Sequence, residues 1–261
     1  MSNEIILKTD NISIGYASKK ESITIAANIN IELKKSSLIA MIGENGIGKS
    51  TLLRTLSGIQ KPIAGAVFIN NKNISEYSNL ELSQNLSLVL TEKIPASNLT
   101  VFELIALGRT PYTNWIGKLA DDDIFQINNA IALTNIEHLR TKKHYEISDG
   151  QLQIVLIARA LAQDTPLIIL DEPTTHLDLL NKVRLLKLLK KLSIETSKCI
   201  LFSTHDIDLA IQLCDEIVVM TNSIVIQDNP CKLIESGIFN ELFTNTAISF
   251  DKEKGKFVIE N

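Results

Sequence analysis

The residues Gly43-Glu44-Asn45-Gly46-Ile47-Gly48-Lys49-Ser50-Thr51 carry the most specific chemistry in this 261-residue chain. They fit the spacing G-x-x-x-x-G-K-[ST], a turn that holds phosphate. The glycines let the backbone curl so that successive amides point inward at phosphate oxygens, at the positive end of the next helix. Lys49 adds a point charge at the β- and γ-phosphates, and the Ser50 hydroxyl is offered to Mg²⁺. Further along, Leu170-Asp171-Glu172 ends an apolar run in two carboxylates. At the carboxyl edge of a parallel sheet, such a pair lies beside the phosphate loop. There Asp171 can hold Mg²⁺ through a water, and Glu172 can polarise a water that attacks the phosphate.

This chemistry needs a strand before the loop and a helix after it. Leu38-Ile39-Ala40-Met41-Ile42 is a continuous apolar run too short for a helix, which predicts a strand buried on both faces. Thr51–Ser57 then reads as a helix stopped by Gly58. Upstream, residues 4–33 read as several short strands, with turns at Gly15 and Lys19-Lys20. Ala66–Ile69 and Leu86–Leu90 are further strands. From about Val101 to Ala162 the pattern is helical. Asp121 is expected to cap a run carrying Ile124, Ile127 and Ile131, and Asp149-Gly150 to precede a helix over Ile154–Ala162. After Pro166, strands at Leu167–Leu170, Ile200–Ser203 and Ile217–Met220 alternate with helices at Leu179–Leu192 and Ile207–Leu213. The alternation predicts an α/β fold with a mainly parallel sheet, into which a helical block is inserted. The leucine-rich Leu179–Leu192 reads as a crossover helix with lysines 182, 187, 190 and 191 on its solvated face. The expected division is 1–92 and 155–229 for the two parts of the core, 93–154 for the helical insertion and 230–261 for a C-terminal extension that includes Phe257-Val258-Ile259.

Composition narrows the partners. A net charge of −4 argues against binding nucleic acid by bulk surface charge. No apolar run approaches the roughly 18–20 residues needed to cross a bilayer, and Met1-Ser2-Asn3-Glu4 lacks the basic and apolar start of a secretion signal. The expectation is a soluble, intracellular chain. Cys199, Cys214 and Cys231 are widely spaced and read as packing residues or surface thiols, not as a disulfide or zinc framework.

With the remaining motifs in place, the chain resembles the nucleotide-binding subunit of an ATP-binding cassette (ABC) transporter along nearly its whole length. Ile147-Ser148-Asp149-Gly150-Gln151 matches the LSGGQ signature, and Pro173-Thr174-Thr175-His176-Leu177-Asp178 follows Glu172 as the D-loop does. Ser203-Thr204-His205-Asp206 falls where the family carries its switch histidine, and Tyr16 where an aromatic ring stacks on adenine. The resemblance implies a P-loop NTPase (RecA-like) core with an N-terminal antiparallel β subdomain and an inserted α-helical subdomain. It implies ATP contacts from Tyr16, Gly43, Asn45, Gly46, Gly48, Lys49, Ser50, Thr51, Glu92, Ser148, Gly150, Gln151 and Asp178. Mg²⁺ falls to Ser50, Asp171 and Glu92, and catalysis to Glu172 and His205. It also implies a head-to-tail homodimer, in which each ATP lies between the phosphate loop of one copy and the signature of the other. Two residues depart from the family. Where glutamine is usual, Glu92 stands (or, one residue earlier, Thr91), and Asp149 replaces a glycine of the signature. Asp149 is expected to turn away from phosphate and cap its helix.

The segment Leu104-Ile105-Ala106-Leu107-Gly108-Arg109-Thr110-Pro111-Tyr112 resembles the insertion of ATPases that serve iron–siderophore, haem and vitamin B12 importers. That group implies an integral membrane permease, an extracytoplasmic solute-binding protein, and a peripheral place on the cytoplasmic face of the bacterial inner membrane. Read locally, Gly108 caps a helix, Arg109 is surface charge and Pro111 starts a turn. The competing function is a non-transport ABC ATPase acting on a soluble partner in iron–sulfur assembly or nucleic-acid work. The lack of duplicated cassettes and of strong basic charge counts against it. A P-loop kinase or GTPase explains the phosphate loop and leaves residues 147–151 and His205 without a purpose.

Overall fold

The computed structural model describes residues 4–17, 22–90, 97–243, 248–252 and 255–259. The N-terminal strands are β1 (Ile5–Ala17), β2 (Ser22–Ile29) and β3 (Glu32–Lys34), followed by β4 (Leu38–Gly43) and helix α1 (Lys49–Leu56). β5 (Ala64–Ile69) returns to β1 and β6 (Lys72–Asn73) pairs with β5, giving an antiparallel sheet in the order β2-β1-β5-β6 with β3 also paired to β1. β1 serves three neighbours because register shifts near Asp10–Ser13 and Ile14–Gly15 re-aim it along its length. Gly15, expected at a turn, lies inside this strand. A Cβ there would meet the Ile23 carbonyl oxygen at 1.9 Å, so glycine is needed for the close approach of β2. Lys19-Lys20 falls outside the described residues.

The second sheet positions the chemistry. After α2 (Asn79–Ser83) come β7 (Leu86–Val89) and the helices α3 (Val101–Ala106), α4 (Asp121–Leu133) and α5 (Asp149–Ala162). β8 (Leu167–Leu170), α6 (Leu179–Glu195), β9 (Cys199–Ser203), α7 (Ile207–Leu213), β10 (Glu216–Met220) and β11 (Val225–Asp228) complete it. The six strands run β11-β10-β4-β9-β8-β7, parallel except for the edge strand β11. Every residue of β4, β8 and β9 is buried. Alternate residues of these strands enter different cores: Ala40, Ile42, Ile168 and Phe202 on one face, Ile39, Met41, Ile169 and Leu201 on the other. The unbroken apolar runs follow from this two-sided burial. Registers Met41↔Ser203 and Leu170↔Phe202 bring the ends of β4, β9 and β8 to one edge.

α6 is the expected crossover helix, burying Leu185, Leu186, Leu189 and Leu192. In the helical block, Asp121 is the first residue of α4 and does not cap it. Asp123 does that work, its Oδ2 accepting the Ala120 N–H at 2.8 Å. Gly108 is not a helix cap either. It sits in the 3-10 turn Leu107–Arg109, where a Cβ would lie 2.3 Å from the Arg159 carbonyl oxygen of α5. Arg109 overturns its expected place on the surface. It is buried, Nε donates to Asp123 Oδ1 at 2.8 Å, Nη1 donates to the Ala162 carbonyl at 2.9 Å, and the guanidinium stacks on Tyr112 with 4.0 Å to the ring centroid. One side chain thereby ties the turn after α3 to the start of α4 and the end of α5.

The C-terminal part adds α8 (Pro230–Ser236) and the hairpin β12 (Ile248–Asp251) and β13 (Lys256–Ile259). Phe239 lies tilted against Phe250 at 4.8 Å between ring centroids and Phe250 meets Phe257 edge to face at 5.0 Å, so this part packs through aromatics onto the larger core. Cys199 and Cys214 are buried, and burial pushes both thiols up to about 12, which suits packing residues; Cys231 is exposed.

Candidate nucleotide site

The loop between β4 and α1 is shaped by its glycines. Gly46 (φ 80°) and Gly48 (φ 111°) adopt the left-handed region, and at Gly48 a Cβ would also strike Ile25 of β2 at 2.6 Å. Lys49 folds back across the loop, its Nζ donating to the carbonyls of Gly43 at 2.8 Å and Glu44 at 2.9 Å. Burial holds the ammonium below its usual pKa, while the nearby Glu172 and Asp171 pull it up. The result is a nearly enclosed cation at the head of a helix, a site made for phosphate.

Asp171 and Glu172 follow β8 directly, at the same edge. Ser50 Oγ lies 3.4 Å from Asp171 Oδ1, and Ser203 Oγ at the end of β9 donates to that oxygen at 2.7 Å. Glu172 has φ 48°; its N–H donates to Ser203 Oγ at 2.8 Å. Its carboxylate is held at both oxygens: Thr175 Oγ1 donates to Oε2 at 3.2 Å and His205 Nε2 lies 2.7 Å from Oε1. Asp206, next to His205, accepts from Thr174 Oγ1 at 2.9 Å and from Lys182 Nζ at 2.7 Å, which ties the loops after β8 and β9 together. Gly43, Glu44, Asn45, His205, Ile207 and Leu242 line a hollow of about 520 Å³ in front of the loop. A partly buried carboxylate with a hydroxyl beside it is an all-oxygen donor set, and Asp171 with Ser50 therefore fits Mg²⁺.

The structure thus gathers Gly43, Asn45, Gly46, Gly48, Lys49, Ser50, Thr51, Asp171, Glu172 and His205 at one sheet edge. Tyr16 joins them through its hydroxyl, 3.3 Å from Thr51 Oγ1, with its ring largely exposed. The signature lies elsewhere, on the helical block. Ser148, not Asp149, caps α5: its Oγ accepts from the Gln151 N–H at 3.3 Å, and Gln151 Oε1 accepts from the Ser148 N–H at 3.0 Å. Asp149 is the first helical residue and is exposed. Gly150 faces Leu177, whose Cδ2 would lie 3.3 Å from a Cβ there. Asp178 caps α6 by accepting from the Asn181 N–H at 2.8 Å. None of these contacts of Ser148, Gly150, Gln151 or Asp178 reaches the phosphate loop. Glu92 and Thr91 lie outside the described residues. Ser203 and Thr175 were missed as individual contributors, although both stand inside the quoted motifs.

A sequence model of the ABC transporter family matches residues 26–175. The chain is 35% identical to the achromobactin transport ATP-binding protein of Dickeya dadantii, over 89% of this chain and 85% of that one. It is 36% identical to the iron(3+)-hydroxamate import ATP-binding protein of Bacillus subtilis, over 85% of this chain and 81% of that one. Among solved structures, a transporter described as of the metal-chelate type, facing inward, superposes with TM-score 0.79 at 26% identity, covering 98% of this chain and 96% of that one. A dimeric bacterial ABC transporter cassette superposes with TM-score 0.72 at 28% identity, covering 86% of this chain and 99% of that one.

Proposed function

The chain belongs to the ABC transporter family, and from that premise we propose that it is the ATP-hydrolysing subunit of an importer for an iron chelate (siderophore or haem) or cobalamin. The observation that carries the catalytic part is the meeting of Lys49, Ser50, Asp171, Glu172 and His205 at the ends of three adjacent strands. In this reading Lys49 and the loop amides hold the phosphates, with Gly43, Asn45, Gly46, Gly48 and Thr51 shaping the cradle, and Tyr16 meets the adenine ring. Ser50 and Asp171 would hold Mg²⁺, which when bound would supply charge to offset the phosphates; Glu92, outside the described residues, is assigned to the same ion by the family resemblance alone. Glu172 accepts a proton from the attacking water, and His205, bonded to it, keeps the carboxylate in line.

The signature is capped on its own helix and packs against its own Leu177, and these contacts do not reach the phosphate loop of the same copy. We assign Ser148, Gly150, Gln151 and Asp178 to the site of a second copy, as a head-to-tail homodimer. The iron-chelate cargo rests on the similarity to the iron(3+)-hydroxamate import protein and on the Leu104–Tyr112 segment. Among the described residues no helix is long and apolar enough to cross a membrane, so the import path falls to a separate permease, fed by an extracytoplasmic binding protein, with this chain on the cytoplasmic face. The helical part, 93–154, is its contact: Trp115 is 94% exposed beside a hollow of about 650 Å³ that Leu107 and Ile116 also line. α5 runs unbroken across residue 154, so a rigid helix joins this part to the core parts 1–92 and 155–229. Nucleic acid has no place in this scheme.

Mixing variants tests the shared site. A Lys49→Ala chain and a Ser148→Arg chain, each inactive as a pure dimer with the permease, are expected to regain activity when combined, because half of the mixed dimers' sites are then intact. Mixed dimers that form and stay inactive would falsify the head-to-tail site. Loss of iron-chelate or cobalamin uptake in a deletion strain tests the cargo, and uptake at the native rate overturns it.

A further inference from the structure

Ser203 touches both acidic residues of the site. It is fully buried at the end of β9. Its hydroxyl donates to Asp171 Oδ1 at 2.7 Å and accepts the Glu172 N–H at 2.8 Å. A hydroxyl has one proton and two lone pairs, so these two bonds use it in one sense only. Glu172 holds a left-handed φ of 48°, a conformation that persists in a non-glycine residue only where its surroundings enforce it. Ser203 supplies the partner for the backbone of that residue. The next N–H, of Thr204, donates to the Met41 carbonyl at 3.0 Å, and Ser203 pairs with Met41 in register. The hydroxyl is therefore fixed to the strand that carries the phosphate loop.

We propose that Ser203 is a positioning residue that sets Asp171 and Glu172 against the phosphate loop through β9. Resting on the ATPase reading above, the inference adds the element that aims the base. A serine buried only for packing would be replaceable by anything of its volume. A relay needs the hydroxyl. Removing it frees the Asp171 carboxylate to rotate and leaves the Glu172 N–H without an acceptor, so the loop 171–176 relaxes from its strained turn.

The test compares Ser203→Ala, Ser203→Thr and Ser203→Cys in the full chain assembled with its permease. Ser203→Ala is expected to lower kcat by roughly tenfold to a hundredfold, as a displaced catalytic group does, with the KM for ATP within about threefold of native. Ser203→Thr keeps the hydroxyl and restores kcat; Ser203→Cys keeps the volume, donates weakly and does not. Hydrogen exchange in the nucleotide-free chain is expected to speed up at residues 171–176 in the Ala and Cys variants, with the rest of the sheet unchanged. Native kcat in the Ala or Cys variant, equal losses in Ala and Thr, or unchanged exchange at Glu172 each overturn the proposal. Should Ser203→Ala not fold, Ser203→Cys decides. If the native chain hydrolyses no ATP, the functional reading fails while the exchange result still judges Ser203.

Discussion

A Glu172→Gln chain is expected to bind ATP and turn it over at about one thousandth of the native rate, within the range lost when a general base is removed. The side chain keeps its size, so the contacts from Thr175 at 3.2 Å and His205 at 2.7 Å have an acceptor oxygen and an amide to work with. What disappears is the ability to take a proton from water. Lys49, held by the Gly43 and Glu44 carbonyls, is untouched, so affinity for nucleotide survives. With binding intact and hydrolysis stopped, two copies joined by ATP should accumulate, visible as a dimer by size-exclusion chromatography in ATP and absent in ADP. Steady-state turnover near the native rate would take Glu172 out of the catalytic role. A large rise in KM with kcat preserved would instead assign it to nucleotide binding.

The second large effect is on stability. Arg109→Ala removes a guanidinium that is buried with Asp123 and leaves that carboxylate without its cation. Breaking a buried pair from one side costs about 3–5 kcal/mol, or a fall in Tm of roughly 10 °C for a chain of this size. The exposed Asp122, 3.3 Å from Nη2, contributes little. Arg109→Lys is expected to rescue only partly, since an ammonium cannot reach Asp123, the Ala162 carbonyl and the Tyr112 ring together. The pH dependence has a definite sign. Burial pushes the Asp123 carboxyl up, but the Ala120 N–H and the Arg109 guanidinium outweigh burial and hold it below its usual value. A depressed acid stabilises the fold fully above its unfolded pKa, and that stabilisation is lost as pH falls through the folded pKa. In Arg109→Ala the part of that stabilisation owed to the guanidinium is already missing, so stability should fall less between pH 7 and pH 3 than in the native chain. A thermal scan from pH 7 to pH 3 checks both; a Tm within about 2 °C of native at pH 7 would show that Arg109 holds nothing together.

The contrast between these two residues shows what a linear chain can reveal. Glu172 is legible because its neighbours in sequence announce it: an apolar run, two acids, then the D-loop match. Arg109 is not, because its partners stand 14 residues ahead at Asp123 and 53 ahead at Ala162 and meet it only when α5 packs on the turn after α3. At the end of an apolar run, between a glycine and Thr110-Pro111, a lone arginine looks like surface charge. The cap of α5 was within reach, since Ser148-Asp149-Gly150-Gln151 has the S-x-x-Q spacing of a capping box. Gly15 was not, because the reason for its glycine is the Ile23 carbonyl across the strand pair.

Order along the chain was enough to establish the phosphate loop, the two-sided strands that carry it and the acids, and the family these motifs belong to. Those features depend on near neighbours and on burial so complete that composition alone reports it. Three dimensions decided how the parts are held: which hydroxyl touches both Asp171 and Glu172, which cation ties the helical block together, and which residue caps the helix of the signature. The first two rest on distances between residues far apart in sequence, set only when sheet and helices have packed.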